Sequence, residues 1–193
     1  MAAAFETDRL LVRDWAVQDA DRMLDMYSRD DVVRFLGSVP TPMSTREQAL
    51  DRIARGRTRN AEQPTSSPCG WWAVEVRDTG VVVGTVALVA VEGGEGEVEV
   101  AWHLHPDSQG YGYATEAAGA AIERGHDAGL VEVIALTDEA NVASQAVCRR
   151  LGLDLRETSA RYYGQPLMIW ASHRPWPARP RPHQDPQTCM ITP

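Results

Sequence analysis

The stretch Glu99–Glu116, EVAWHLHPDSQGYGYATE, decides the fold. Alternation over Glu97–Leu104 predicts a strand: Val98, Val100, Trp102 and Leu104 share one face, and Glu97, Glu99, Ala101 and His103 the other. A turn follows, then the loop Gln109-Gly110-Tyr111-Gly112-Tyr113-Ala114, which fits the pattern Gln/Arg-x-x-Gly-x-Gly/Ala. Behind it Ala114, Ala117, Ala118, Ala121 and Ile122 form a helical stripe narrow enough to pack close on a sheet. Small residues at Gly112 and Ala114 let backbone approach a ligand closely. The first amides of a helix lack intrahelical partners and lie at the positive end of its dipole. Strand, glycine loop and helix start therefore make an anion site suited to a pyrophosphate.

The rest of the chain surrounds this unit with more strands and helices. Arg9–Trp15 alternates as a first strand, and Val17, Ala20, Leu24 and Tyr27 fall at helical spacing. Ser44-Thr45-Arg46-Glu47 reads as a capping box opening a helix through Leu50, Ile53 and Ala54. Trp71–Val76 and Val81–Val91 are strands joined by the turn Arg77-Asp78-Thr79-Gly80. Val131–Leu136 is the next strand and Ser144–Leu151 a helix. Leu153–Tyr163 and Leu167–Ser172 form a closing hairpin around Gly164-Gln165-Pro166. Antiparallel strands followed by strand-helix-strand units predict a mixed α/β sheet with helices on both faces.

The loop and helix start resemble those of the GNAT superfamily of acetyl-CoA-dependent N-acetyltransferases, in the branch that acetylates ribosomal-protein N-termini. Three further segments carry the resemblance: Thr7-Asp8-Arg9-Leu10-Leu11-Val12-Arg13 as the opening strand, Asn141-Val142-Ala143-Ser144-Gln145 with Leu151-Gly152-Leu153 as the late helix and its following strand, and Gly164–Trp176 as the closing hairpin. The fold this implies is α/β: a single GNAT-like domain over residues 5–176, with a mixed, mostly antiparallel sheet and a splayed central strand pair. Residues 177–193 then form a Pro/Arg-rich tail, expected to be disordered.

Bulk properties fit that expectation. At 193 residues the chain suits one domain, and a hydrophobic fraction of 44% supplies a core. Net charge is −8, which excludes a general nucleic-acid binder, since phosphate binding needs a basic footprint. Such a surface aids solubility and, through steering, favours a cationic or amine substrate. The basic residues are all arginine, so the N-terminal amine is the one primary amine open to self-acetylation. Cys69, Cys148 and Cys189 have no CxxC spacing, so neither a zinc ribbon nor a disulfide framework is indicated. MAAAFETDRL lacks a secretory n- and h-region, and no run approaches the ~20 apolar residues of a membrane span. The expectation is a cytoplasmic protein with no membrane or nucleic-acid partner; the sequence carries no signal for oligomeric state.

The resemblance implies transfer of acetyl from acetyl-CoA, as co-substrate, to an amine: a protein N-terminus or a small molecule. Gln109, Gly110, Tyr111, Gly112, Tyr113 and Ala114 are expected to hold the pyrophosphate, the backbone around His103 and Leu104 to pair with the pantetheine arm, and Asn141 to hydrogen-bond the arm or orient its loop. The third loop position, usually basic in relatives, is Tyr111 here, so binding rests on amide donors. Glu99 matches the branch's general-base position, and burial must raise its pKa for that role. Its other reading is a solvated, cross-strand-paired glutamate. His103, on the same face, is the other candidate base, or packs. Ser144 is the matched proton donor to the departing thiolate, or a helix cap. Cys148 stands where many relatives place a donor tyrosine, and reads as a small buried residue. His103 and His105 have metal-compatible spacing with no third ligand in reach, so no metal is expected. Trp71, Trp72, Tyr162 and Tyr163 border the acceptor side or fill the core. The alternative to an enzyme is a non-catalytic acyl-CoA-binding sensor or partner subunit of the same fold, or an interaction protein recruiting through its tail.

Overall fold

The computed structural model describes residues 3–37 and 41–172. The 177–193 tail and the boundary at Trp176 lie outside them. Eight strands form one sheet in the order β1-β2-β3-β4-β5-β6-β8-β7, with β1 Ala3–Glu6, β2 Leu10–Arg13, β3 Gly70–Val76, β4 Val82–Ala90, β5 Val98–Leu104, β6 Ile134–Thr137, β7 Asp154–Ser159 and β8 Leu167–Ala171. All neighbours pair antiparallel except β5 and β6, which run parallel and pair only at Glu99–Ile134. Beyond that point the two strands part, so the expected mixed sheet with a splayed central pair is observed.

Helices cover both faces. On one, α1 (Ala20–Tyr27), α2 (Asp30–Val33) and α3 (Arg46–Glu62) enclose a core of Trp15, Met23, Met26, Tyr27, Ala49 and Ile53 against Ala73 and Val82. On the other, α4 (Tyr113–Asp127) lays Ala117, Ala118, Ala121 and Ile122 on Val86, Leu88, Val98 and Val100, with α5 (Val142–Arg150) adding Cys148. The alanine stripe works as the sequence implies: short side chains bring α4 close to the sheet, and the strand alternation puts Glu99 and His103 on the opposite, α1–α3 face.

Several boundaries differ from expectation for local reasons. A first strand, Ala3–Glu6, precedes the expected one and pairs with it; its residues do not alternate, and pairing with β2 decides it. The α3 capping box is Thr45 with Gln48, one residue later than Ser44 with Glu47, because Thr45 is still extended at φ −137°. Val131 and Glu132 are exposed and precede β6. The final hairpin's first strand stops at Ser159, and residues 161–164 form a turn that swings Tyr162 and Tyr163 back onto β5. Cys148 is free and buried, while Cys69 is disulfide-bonded, which the cysteine spacing did not indicate. Among the described residues no helix is long and apolar enough to cross a membrane.

Candidate active site

The gap between β5 and β6 opens into a cleft of about 1390 Å³. One end is walled by the Gln109–Gly112 loop with Ala114 and Thr115, the flank by Asn141 and Ser144, and the other end by Arg52, Trp71, Glu99 and Tyr163.

The loop end is made of backbone. Gly112 caps α4 at φ 83°, a left-handed conformation that a side chain strongly disfavours, and Gly110 sits at φ 85°. The first return bond of α4 runs from the Glu116 amide to the Gly112 carbonyl, so the amides ahead of it have no helical partner. Tyr113 belongs to the loop end by its backbone, as expected of this loop. Its ring does not line the cleft but stacks on Tyr111, centroids 5.7 Å apart, with the Arg9 guanidinium 4.9 Å from its centroid. Only its backbone can serve the anion site.

A clamp that sequence reading did not find holds this helix start. Thr7 Oγ1 donates to Glu116 Oε1 at 2.6 Å, Arg9 Nε donates to Glu116 Oε2 at 2.6 Å, and Arg9 Nη1 donates to the Tyr111 carbonyl at 3.1 Å. The Thr7-Asp8-Arg9 turn is thus pinned to the first turn of α4, where a carboxylate also suits the helix dipole. The signal was present, since Thr7 and Arg9 were read as part of a motif, but their partner lies over a hundred residues away.

Register assigns the open strand edge. The β4–β5 ladder bonds through Val91/Glu97 and Val83/His105, and hence through the odd residues between them. The even residues therefore face β6: Val100 takes part in the single bridge to Ile134, and Trp102 and Leu104 beyond it turn their backbone groups to the open edge. Leu104 thus has backbone groups on that edge, as arm pairing would require. His103 does not: its backbone is bonded into β4, and it reaches the cleft with its side chain.

Glu99 is buried, and its carboxylate accepts a hydrogen bond from the Tyr163 hydroxyl at 3.0 Å. Burial raises its pKa to about 7, and the Tyr163 bond holds it partly down. Two residues earlier, Glu97 accepts a hydrogen bond from Tyr162 at 2.7 Å, and its pKa falls, because that bond outweighs the smaller desolvation of a half-exposed site. Adjacent tyrosines thus serve two glutamates with opposite results, and depth makes the difference. Tyr163 stands at φ 54°, the only non-glycine with positive φ among the described residues. Such strain costs on the order of 1 kcal/mol and clusters at functional sites.

His103 differs from Glu99. Its Nδ1 lies 3.1 Å from the Tyr27 hydroxyl, and burial, helped by the nearby Arg52 guanidinium, lowers its pKa to about 3. At neutral pH it is uncharged and holds a proton poorly. His105 is buried 3.0 Å from Asp25 Oδ2, so the two histidines dock α1 through separate partners and do not converge on one point. Asn141 caps α5, its Oδ1 accepting from the Ser144 amide at 3.1 Å. The cap role weighed for Ser144 therefore belongs to Asn141, and the half-buried Ser144 hydroxyl lines the cleft. Burial pushes the Cys148 thiol up to about 12, away from any nucleophilic role. Of the four aromatics, Trp71 and Tyr163 line the cleft, while Trp72 and Tyr162 are buried.

Comparison with known proteins gives the family and the fold. The sequence family described as "Acetyltransferase (GNAT) domain" matches residues 9–154. The uncharacterized N-acetyltransferase YoaA of Bacillus subtilis (strain 168) is 27% identical over 166 residues, covering 86% of this chain and 90% of YoaA. A putative ribosomal-protein-serine acetyltransferase from Vibrio cholerae superposes with a TM-score of 0.71 at 20% identity, covering 90% of this chain and 100% of that one. The putative acetyltransferase yncA from Salmonella typhimurium, solved with its cofactor acetyl-CoA, superposes at 0.64 with 16% identity, covering 90% and 99%.

Proposed function

The chain belongs to the GNAT acetyltransferase family, and from that premise we propose that it moves acetyl from acetyl-CoA to an amine by direct attack, with Glu99 as general base. The observation that carries the assignment is the buried Glu99 carboxylate, its pKa near 7, at the point where β5 and β6 separate. A base with that pKa is deprotonated often enough at neutral pH and still basic enough to take a proton from an ammonium or from an intervening water. His103, with its pKa near 3, is too weak for the task and acts as a neutral wall residue.

Acetyl-CoA supplies an activated thioester. The loop Gln109–Ala114 and the first amides of α4 hold its pyrophosphate, and the Trp102 and Leu104 backbone edge aligns the arm. Glu99 accepts the amine proton, and Tyr163 orients the carboxylate. The Ser144 hydroxyl, free of the capping task, passes its proton to the departing thiolate and regains one from solvent. Positioning provides most of the acceleration, because the acyl group arrives activated. The acceptor is a protein N-terminus or a small-molecule amine, met in the cytoplasm where acetyl-CoA is made and spent. Titration with acetyl-CoA in a calorimeter, followed by thiol release across a panel of amines, tests the reading. Binding with turnover that rises as pH climbs through about 7 supports it; binding without turnover on any amine leaves a sensor and removes the enzyme.

A further inference from the structure

The acceptor end of the cleft is cationic, although the chain as a whole carries −8. Arg52, Arg55 and Arg59 lie at i, i+3 and i+7 of α3, hence on one helical face, and all three line the cleft. None has an ion-pair partner among the described residues. Arg34, Asp31 and Glu92 line the cleft as well, and the two carboxylates exceed Arg34 by one charge, which still leaves the α3 arginines in excess.

Arg52 is the best placed. It is half-buried, with its guanidinium 4.3 Å from the Tyr27 ring centroid and 5.6 Å from that of Trp71. Those rings are themselves fixed. Tyr27 Oη lies 2.9 Å from Thr85 Oγ1 and 3.1 Å from His103 Nδ1. Trp71 stacks on Trp15, with its backbone held on both sides by Asn60. Gly56 leaves room for this indole, since a Cβ there would fall 2.3 Å from it. The ring systems orient Arg52 without neutralising it; part of its donor fork reaches the Tyr27 hydroxyl, and the remaining donors are left for a planar or tetrahedral anion.

The floor beneath is small. Trp71, Ala87 and Ala101 stand in one row across β3, β4 and β5, and Glu99 is one pleat, roughly 7 Å, along β5 from Ala101. We propose that the acceptor carries an anionic group, a carboxylate or a phosphate, which Arg52 binds with help from Arg55 and Arg59 while the amine lies against Glu99. Global charge, which by itself favours cations, is overridden locally, because a charge within contact distance outweighs a screened distant field. The inference rests on the acetyl-transfer reading for the amine, but the anion subsite stands on its own residues.

The test uses matched acceptors: amino acids against their amides, and phosphoethanolamine against ethanolamine, with thiol release as the readout. The anionic member of at least one pair is expected to have the higher kcat/KM, by about tenfold or more, and the pair that responds distinguishes carboxylate from phosphate. Arg52→Met keeps the stem between the rings and should bring the ratio close to one, Arg52→Lys should restore part of it, and Arg57→Gln, exposed and outside the cleft, should leave it unchanged. Equal or reversed preference in the wild-type protein, or a ratio that survives Arg52→Met, overturns the proposal. A second arm needs no turnover: N-acetylglycine, its amide and inorganic phosphate are titrated into the CoA-bound protein. Anion binding that is lost in Arg52→Met sustains the subsite even if no amine reacts, in which case the acetyl-transfer reading alone falls. Turnover without charge preference or anion binding has the reverse meaning.

Discussion

At the end of the cleft we assign to the cofactor, the consecutive residues Gln109–Ala114 present backbone amides, made approachable by Gly110, Gly112 and Ala114. At the acceptor end, Arg52, Trp71, Glu99 and Tyr163 arrive from α3, β3, β5 and the turn before β8, and each contributes a side chain. A peptide amide is the same in every residue, so a cofactor common to many enzymes can be held by a local motif with a fixed backbone shape. An acceptor must be distinguished by its chemistry, which calls for particular side chains brought together by the whole fold. The two ends should therefore fail differently when altered: the first through affinity for acetyl-CoA, the second through rate, pH dependence and choice of amine.

The strongest break of that contrast is Glu99→Gln. It should lower kcat by about 10²–10⁴ while leaving acetyl-CoA affinity unchanged by calorimetry; activity within a few-fold of wild type would remove Glu99 from the chemistry. The same variant has a thermodynamic signature. The folded-state pKa near 7 lies above the ordinary 4.5, so the folded protein holds this proton more tightly than the unfolded chain. The contribution to stability is then fully present below about pH 4.5 and lost as pH climbs through about 7, by up to roughly 3 kcal/mol. Glu99→Gln should thus melt higher than wild type at pH 8, with the gap closing toward pH 4.5 in thermal scans. A site that loses stability by ionising is one in which burial serves reactivity and not the fold.

At the other end, Gly112→Ala sharpens the comparison. The added methyl meets only Arg9 Nη2, at 3.5 Å, so the cost is that of a left-handed backbone, about 1–2 kcal/mol. Acetyl-CoA should bind roughly tenfold more weakly, with kcat at saturation little changed and the acceptor preference intact. A loss confined to kcat would mean that the loop does more than hold the cofactor.

The same contrast explains what the sequence made legible. The β5–loop–α4 unit could be read because alternation, glycine positions and an alanine stripe are local patterns, and the splayed sheet followed once they were joined to the family resemblance. Glu99 could be placed on a face, but its depth could not, because burial depends on Tyr163 and on helices far away in sequence. The capping box slipped by one residue because Ser44 and Thr45 are chemically equivalent caps, and only the backbone angle at Thr45 separates them. Tyr113 was grouped with the loop although its ring packs outward under Arg9, since a pattern of small residues says nothing about the direction of the large one between them. The Arg52–Arg55–Arg59 spacing is present in the chain, but only the placement of Arg52 against Tyr27 and Trp71 sets it apart from a solvated helix face, and that placement depends on α1 and β3.

Two neighbours on α5 separate structure from chemistry with a smaller effect. Asn141→Ala removes the cap that accepts from the Ser144 amide and should cost about 1 kcal/mol of stability in denaturant melts. Ser144→Ala removes no cap. It should leave the melting midpoint in place and lower kcat by about tenfold, below the effect of a full general acid, because a thiolate leaves readily by itself. If Ser144→Ala instead destabilises the protein and spares kcat, the hydroxyl is structural and the thiolate takes its proton from solvent.

The finest test is Tyr163→Phe. The hydroxyl donates to the Glu99 carboxylate at 3.0 Å and so favours the charged form, opposing the desolvation that pushes the pKa up. Removing it leaves burial to act alone, so Glu99 should hold its proton to higher pH. The rising limb of kcat against pH should move in the alkaline direction by up to about one unit, the equivalent of one hydrogen bond to a charged group. Above the shifted limb the variant should regain most of its rate, since the base itself is still present. Tyr162→Phe is the matched control: its partner Glu97 does not line the cleft, so the limb should stay where it is in wild type. A limb that moves equally in both variants would mean that the turn acts by shaping the backbone, and a limb that moves in neither would break the link between the strained Tyr163 and the proton on Glu99.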